Sequence, residues 1–391
     1  MEVYLDNSAT TKPTPEVVAA INRAYSDYYG NPSSLHRKGL EAEKVLSQSR
    51  RDVASSLGTV PEEILFTSGG TESNNLAIFG FLKRNKHPNM YLATTKIEHP
   101  AVLNIFKKLE ADGFEVTYIN VDASGIIDIN EVKSLLEKEP ALLSIMLVNN
   151  ETGAIQPIAE IAKLLRSSGK KTVLHVDAVQ AFGKVPFQLN SLNADLLSIS
   201  GHKFHGPKGS GGLLVKKGIR LEPLFYGGNQ EAGYRSGTEN IPAIAGMGTA
   251  AVQTVKSLTD AIAKMQSLKK RLQDEIERSI TDTRVNSPSE ESCAPHILNV
   301  SFLGIKSEIL LHALEQDGIY VSAGSACSSR KRSYSHVLQA MGRSEAELEG
   351  AVRFSFSHFN EFGELDYVAD KLQAHVTVLR KTISGDRKWK K

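Results

Sequence analysis

The sequence predicts an α/β fold, with a mostly parallel sheet in a large domain and a smaller α+β domain. Between residues 63 and 218, short apolar runs alternate with stretches of helical period. This alternation is typical of a parallel sheet with helices on both faces. From about residue 258 one long helical period is followed by mixed strands and helices. At 391 residues, the chain is also longer than one core usually supports.

The predicted elements follow in chain order. The strands of the first part are EILFTS (63–68), MYLATT (90–95), EVTYINV (115–121), ALLSIMLVN (141–149), TVLHVDAVQ (172–180), ADLLSIS (194–200) and GGLLVKKG (211–218). A connecting helix spans 258–280, and the strand-like runs after it are HILNVSFLG (296–304), YVSAGSA (320–326) and AVRFSFS (351–357). We therefore predict a large domain over residues 15–257. The small domain would combine residues 1–14 with 258–391.

The composition restricts the classes of function. Lys plus Arg number 46 against 44 for Asp plus Glu, a formal net charge of +2, which argues against general nucleic-acid binding. Cys293 and Cys327 are the only cysteines, too few for a disulfide framework, and indicate a reducing compartment. No signal peptide or membrane-spanning run is recognisable. We expect a cytoplasmic protein without membrane contact, and no metal site is predicted.

Polar residues follow several predicted strands, where the ligands of parallel sheets bind. Gly70 and Thr71 lie in a turn that opens a helix, and the N–H groups and hydroxyl of such a turn suit a phosphate. An ordinary helix start has the same appearance. Asn150 follows the strand 141–149, and Asp177 and Gln180 follow the apolar run TVLHV.

Asp177 and Lys203 are the most informative pair. Each comes at the end of a predicted strand, and if the two strands are neighbours, both side chains flank one cleft. A lysine there can form an imine with an aldehyde, and an aspartate can keep a ring nitrogen protonated. These are the groups that pyridoxal phosphate requires. A solvated loop lysine, or an ion pair with a structural aspartate, is the alternative.

Two further residues are candidates for chemistry. His99 follows a strand and precedes a helix, so its ring is placed either to stack on a flat cofactor and move protons or to serve a structural role. Cys327 lies in SAGSACSSRKRS (322–333), which is rich in Ser and Gly. The basic residues at 330–332 would favour its thiolate, which makes Cys327 a candidate nucleophile.

Ten separated motifs occur along nearly the whole chain. They are YLDNSATT (4–11), GNPSSLH (30–36), FTSGGTESNN (66–75), EHPAV (98–102), VNNETGAIQP (148–157), HVDAVQAFGK (175–184), SGHKFHGPKG (200–209), GGNQEAGYRSGTEN (227–240), SAGSACSS (322–329) and VRFSFS (352–357). Together and in this order they resemble the motifs of cysteine desulfurases of the NifS/IscS type, which are class V aminotransferases with the fold type I architecture of pyridoxal-phosphate enzymes.

The resemblance implies a set of cofactor contacts. Lys203 would be the Schiff-base lysine, and Asp177 would pair with the pyridinium nitrogen. Gln180 would bond the phenolic oxygen of the cofactor, and His99 would stack on its ring. The phosphate would be held by four residues: Gly70, Thr71, Ser200 and His202. Thr238 would reach the phosphate of a neighbouring subunit, which implies a homodimer.

The resemblance also implies the reaction. Asn150, which is assigned to the cofactor as well, and Arg353 would bind the carboxylate of L-cysteine. Cys327 would attack the substrate sulfur and keep it as a persulfide, and L-alanine would be released. The sulfur would pass to an acceptor protein, either an iron–sulfur scaffold or an enzyme of tRNA or cofactor thiolation.

Alternatives stay open on the sequence. A selenocysteine lyase or another class V enzyme would not need Cys327, and a non-enzymatic scaffold would not need Lys203. The segment SSRKRSYSHVL (328–338) is basic where many relatives are acidic or neutral. It is either a solvated charge run or a contact for an acidic acceptor.

Overall fold

The computed structural model describes residues 1–85, 90–323 and 334–388. Its strands are β1 Val3–Tyr4, β2 Ile64–Thr67, β3 Tyr91–Thr95, β4 Glu115–Ile119, β5 Leu142–Met146, β6 Val173–Asp177, β7 Leu196–Ser200, β8 Gly211–Val215, β9 Thr283–Val285, β10 Ile297–Phe302, β11 Ile319–Tyr320, β12 Ser322–Ala323 and β13 Ala351–Ser355. Its α-helices are α1 Pro15–Ser26, α2 Arg37–Leu57, α3 Gly70–Arg84, α4 Pro100–Ala111, α5 Ile129–Glu137, α6 Ile158–Ser167, α7 Leu189–Leu192, α8 Ile241–Lys256, α9 Leu258–Ser279, α10 Ser307–Gln316, α11 His336–Ala340, α12 Glu345–Glu349 and α13 Phe362–Lys388.

A seven-stranded sheet forms the centre of the molecule, in the order β2-β8-β7-β6-β5-β3-β4. Its pairs are parallel, except that β8 runs antiparallel to both β7 and β2. Every residue of β2, β3, β5, β6, β7 and β8 is buried, as expected for a sheet with helices on both faces. The expectation of a mostly parallel sheet is confirmed.

A second, four-stranded antiparallel sheet has the order β12-β13-β10-β9. Helices α9, α10 and α13 cover it, and their apolar side chains share a core with Val3 and Leu5 from the N-terminal segment. That segment also pairs β1 with β11 and Asp6 with Ser355. The two sheets fall on either side of the predicted boundary at 257/258; the division into two domains stays a prediction.

The order of the strands decides where the site residues meet. Strand β6 pairs in parallel with β7, with Asp177 opposite Ser198, so Asp177 and the residues after Ser200 emerge at the same edge. The predicted adjacency of these two strands is confirmed. Strand β5 lies on the other side of β6, with Met146 opposite Asp177. The carboxyl edge thus gathers the ends of three neighbouring parallel strands.

No helix among the described residues is long and apolar enough to cross a membrane.

Candidate active site

A cavity of about 690 Å³ opens at this carboxyl edge and extends to β13 of the second sheet. It brings together nearly all of the sequence-predicted site residues: Gly70, Thr71, His99, Asn150, Asp177, Gln180, Ser200, His202, Lys203 and Arg353. Thr238 is exposed and lines a separate cavity of about 120 Å³. Cys327 and the basic residues 330–332 lie outside the described residues.

One end of the cavity has the features of an anion site. Gly70 begins α3, whose first N–H groups have no acceptor within the helix. A Cβ on Gly70 would lie 2.8 Å from Val179 Cγ2, so a larger residue at this position would force the Val179 side chain to shift. The Ser200 hydroxyl is buried and has no hydrogen-bond partner among the described residues. A bound phosphate would satisfy both groups.

His202 lies beside this end of the cavity as a neutral donor or acceptor. Its Nδ1 is 3.2 Å from Thr10 Oγ1. Burial and, secondarily, the positive charge of Lys203 lower the pKa of His202 to about 4. At neutral pH its imidazole therefore carries no charge. It can bind a ligand through a hydrogen bond, but not through an ionic interaction.

Asp177 lies at the floor of the cavity as a buried carboxylate. Its Oδ2 accepts a hydrogen bond from Asn74 Nδ2 at 2.8 Å, and its Oδ1 accepts one from the backbone N–H of Val179 at 2.9 Å. These two donors fix the carboxylate, and each of its oxygens keeps a second lone pair. Asp177 can therefore still accept a hydrogen bond from a protonated ring nitrogen.

Lys203 follows β7 in a 3-10 turn over Gly201–Lys203. Its Nζ donates to the backbone oxygens of Ser8 and Ala9, at 2.7 and 2.8 Å. Gln180 Nε2 donates to the same Ser8 oxygen at 2.8 Å. The N-terminal segment thus holds Lys203 and Gln180, both predicted cofactor contacts, in place. The sequence pattern at the strand ends did not predict this contribution.

His99 caps the N-terminus of α4. Its Nδ1 accepts a hydrogen bond from the backbone N–H of Ala101 at 3.1 Å, which assigns the ring proton of the neutral form to Nε2. Burial lowers the pKa of His99, although the nearby Asp177 opposes the shift. The ring is therefore neutral at pH 7, and the Nε2–H is its donor.

Arg353 comes from β13 and closes the opposite end of the cavity. Its Nη1 donates to the backbone oxygen of Asn150 at 2.7 Å, and its Nη2 donates to Asp6 Oδ1 at 2.8 Å. Its buried Nε has no partner among the described residues. A guanidinium with donors to spare beside a cavity suits a carboxylate ligand.

Four residues that the sequence did not single out as site residues adjoin the same end: Glu98, Glu151, Ser335 and His336. Glu151 Oε2 accepts a hydrogen bond from Ser335 Oγ at 2.5 Å, and His336 Nε2 lies 2.9 Å from the backbone oxygen of Glu98. Burial raises the pKa of Glu151 to about 7 and the pKa of Glu98 to about 8. Glu98 and Glu151 stand inside the motifs EHPAV and VNNETGAIQP, and Glu151 also follows Asn150 directly after the predicted strand 141–149.

The cavity therefore has two differently built sides. We call the cofactor side the group Gly70, Asp177, Ser200 and Lys203, which end strands of the large sheet or follow shortly after one. We call the substrate side the group Asn150, Glu151, Ser335 and Arg353, which come from the turn after β5, from the N-cap of α11 and from β13.

The family model "Aminotransferase class-V" matches residues 3–368. The chain belongs to this family. It is 43% identical to a cysteine desulfurase of Trichormus azollae over 97% of this chain and 94% of that one. A solved "NifS-like protein" matches with a TM-score of 0.91 and 38% identity, over 97% of this chain and all of the other. A solved structure of SspA in complex with cysteine matches with a TM-score of 0.80 and 34% identity, over 92% and 100%. The predicted family and fold type are confirmed.

Members of this family depend on pyridoxal 5′-phosphate, and the residues present fit that group. The anion site with its unpartnered Ser200 hydroxyl suits the phosphate. The buried Asp177 carboxylate suits the ring nitrogen, and Lys203 Nζ is an amine of the kind that suits the aldehyde carbon. These groups line one cavity, so a single cofactor can meet all of them at once.

Proposed function

We propose that the protein is a pyridoxal-phosphate-dependent cysteine desulfurase, which converts L-cysteine to L-alanine and retains the sulfur as a persulfide on Cys327. One observation carries this proposal: a single cavity joins the cofactor side to Arg353, in a chain of this family. The complex of the solved relative SspA with cysteine fits the same proposal.

On the cofactor side, each residue has a defined task. The bound cofactor supplies an electron sink that stabilises negative charge at the substrate Cα. Asp177 would hold the proton on the ring nitrogen, which makes the ring electron-poor. The amine of Lys203 would take the Cα proton, and the neutral His99 ring would cover the face of the cofactor with its Nε2–H as a donor.

On the substrate side, Arg353 and Asn150 would hold the carboxylate of cysteine. Arg353 already donates to Asp6 and to the Asn150 backbone, so its guanidinium is fixed before the substrate arrives. A pre-fixed guanidinium loses less side-chain entropy when it binds a carboxylate. This contact would orient the Cα–H bond and the thiol.

The sulfur step needs a nucleophile, and Cys327 is the proposed one. Its thiolate would attack the sulfur of the substrate, so that an S–S bond forms while the C–S bond breaks. The electron pair of the broken bond stays with the carbon that becomes the methyl group of alanine. The other cysteine, Cys293, is 4% exposed, and burial raises its pKa, so it is a poor nucleophile.

The partners are proposed on the resemblance. We propose a homodimer in which Thr238 contacts the cofactor phosphate of the partner subunit. In support, Thr238 is exposed and does not line the cavity that holds the other predicted site residues of its own chain. We propose a cytoplasmic location, and an acceptor protein from iron–sulfur assembly or from tRNA or cofactor thiolation.

The test compares the wild-type holoenzyme with Cys327→Ala in the presence of L-cysteine. We expect one alanine per sulfur from the wild type and no alanine above background from the variant, while the absorbance of the cofactor still responds to cysteine. A variant that releases alanine at the wild-type rate would point to a class V enzyme that works without a cysteine nucleophile, such as a selenocysteine lyase. An unchanged absorbance spectrum in Lys203→Ala would favour a non-enzymatic member.

A further inference from the structure

Glu151 connects two parts of the substrate side, the turn after β5 and the start of α11. Its carboxylate accepts the hydrogen bond from Ser335, and Ser335 caps α11 by accepting the backbone N–H of Leu338 at 3.1 Å. Among the described residues, α11 is the first helix that follows Cys327 in the sequence. Glu151 therefore reaches the chain just beyond the segment that carries the proposed nucleophile.

The backbone of Glu151 is held firmly enough to act as an anchor. Its N–H donates to Asn149 Oδ1 at 2.9 Å, and its carbonyl oxygen accepts from Asn299 Nδ2 at 3.1 Å. The carbonyl oxygen of the preceding residue, Asn150, accepts a hydrogen bond from Arg353 Nη1. One short turn thus bonds to the substrate-carboxylate residue on one side and to the start of α11 on the other.

A second contact ties α11 to the wall that carries His99. The His336 ring lies 2.9 Å from the Glu98 carbonyl oxygen, and Val337 and Leu338 are buried against Ile97 and Met146. The start of α11 is therefore fixed at two places, and the Glu151 contact joins it to the turn that carries Asn150.

We propose that Glu151 is a positioning residue for sulfur transfer, which acts through Ser335 to set the start of α11 relative to the substrate-carboxylate site. The proposal rests on the proposed cysteine desulfurase function. In this role the Glu151 oxygen serves as a hydrogen-bond acceptor, a task that an amide oxygen can also perform. Misplacing a reacting group slows a reaction without weakening the binding of its substrate.

The experiment uses the holoenzyme and separates binding from sulfur transfer. Cysteine affinity is measured from the cofactor absorbance in a Cys327→Ala background, and the rate of persulfide formation is measured in a single turnover with Cys327 present. The variants are Glu151→Ala, Ser335→Ala, their double variant, and Glu151→Gln. Ser344→Ala is the matched control, because Ser344 caps the next helix with Glu347 in the same way and does not line the cavity.

We expect Glu151→Ala and Ser335→Ala to keep the wild-type affinity for cysteine and to form persulfide ~10-fold more slowly or worse. The double variant should be no slower than either single variant, because both remove one interaction. Glu151→Gln should restore most of the rate, and Ser344→Ala should match the wild type. If Glu151→Ala fails to load the cofactor, Glu151→Asp withdraws the oxygens from Ser335 and should show the same slow step.

Three results would overturn the proposal: wild-type rates in both alanine variants, a loss of cysteine affinity equal to the loss of rate, or a Glu151→Gln variant as slow as Glu151→Ala. The second result would make Glu151 a substrate contact, and the third would show that its charge is what matters. A wild-type enzyme that forms neither persulfide nor alanine would instead overturn the proposed function.

Discussion

The two sides of the cavity are built in different ways. The residues of the cofactor side stand at strand ends of one parallel sheet, and the backbone geometry of that sheet places them. The substrate side is assembled from α11, from β13 and from the turn after β5. It is held by side-chain contacts such as Arg353 to Asp6 and Ser335 to Glu151. We infer that the cofactor side tolerates changes in its surroundings better than the substrate side does.

The largest loss of activity is expected when Lys203, on the cofactor side, is replaced. Lys203→Ala should lower the rate of alanine formation by about 10³-fold or more, because the variant lacks the amine that takes the Cα proton. The measurement is alanine release, together with the visible absorbance of the bound cofactor. Lys208→Ala, in the same loop but exposed and outside the cavity, is the control and should be unchanged. Turnover by Lys203→Ala at near the wild-type rate would contradict the assignment.

Glu98, which is fully buried beside the substrate side, should make stability depend on pH. Its pKa is raised by burial from 4.5 to about 8, so between these values the folded state keeps a proton that the unfolded chain releases. The free energy of unfolding should then fall as pH rises through this window, by up to about 1.4 kcal/mol per pH unit. Glu98→Gln removes this proton uptake.

The measurement is denaturant unfolding of the wild type and of Glu98→Gln at pH 5.5 and 7.5. The wild type should lose about 2–3 kcal/mol relative to the variant between these two values. Parallel pH profiles for the two proteins would show that the Glu98 carboxyl is ionised in the folded state throughout.

Replacing Arg353, on the substrate side, should mainly weaken the binding of cysteine. Removal of one charged hydrogen bond to the substrate costs about 1.5–3 kcal/mol, so Arg353→Ala should raise the KM for cysteine roughly 10- to 150-fold. Arg353→Lys keeps the charge but loses the planar fork, and should recover only part of the loss. Steady-state kinetics would contradict the assignment if kcat fell and KM did not change.

The mildest change is expected on the cofactor side, at the Ser200 hydroxyl. Ser200→Ala removes a buried hydroxyl without a partner among the described residues, so the stability of the apoprotein should not fall. The affinity for pyridoxal phosphate should fall by ~10-fold, the worth of one charged hydrogen bond. Ser73→Ala, whose hydroxyl lies 2.7 Å from Thr67 and 3.1 Å from the Gly212 oxygen, should lose stability and keep cofactor affinity. The reverse pattern would contradict the phosphate assignment.

The sequence predicted the cofactor side well because the end of each strand is recognisable as an apolar run followed by a polar residue. Asp177 and Lys203 each follow an apolar run, and their neighbourhood in the sheet is confirmed by the pairing of β6 with β7. The roles of the individual residues stay predictions. Arg353 was predicted only from the motif resemblance. The residues around it in the sequence show a charged residue inside a buried strand, but they do not indicate what that residue binds.

The substrate-side contacts were not predictable from the sequence. Ser335 and Glu151 are far apart in the chain, so only the tertiary fold brings them into hydrogen-bond contact. The carbonyl oxygens of Ser8 and Ala9, which accept from Lys203, are backbone groups with no signature in the sequence. Buried carboxyls such as Glu98 also leave no local signal, because only tertiary packing removes them from water.

Transfer of the cysteine sulfur to Cys327 can be followed by single turnover of the holoenzyme with ³⁵S-labelled L-cysteine, with peptide mapping in the absence of reductant. We expect the label on the peptide that contains Cys327, in an amount equal to the alanine formed, and we expect a thiol reductant to release it. Alanine formed with the label on Cys293, or with no label on the protein, would contradict this transfer.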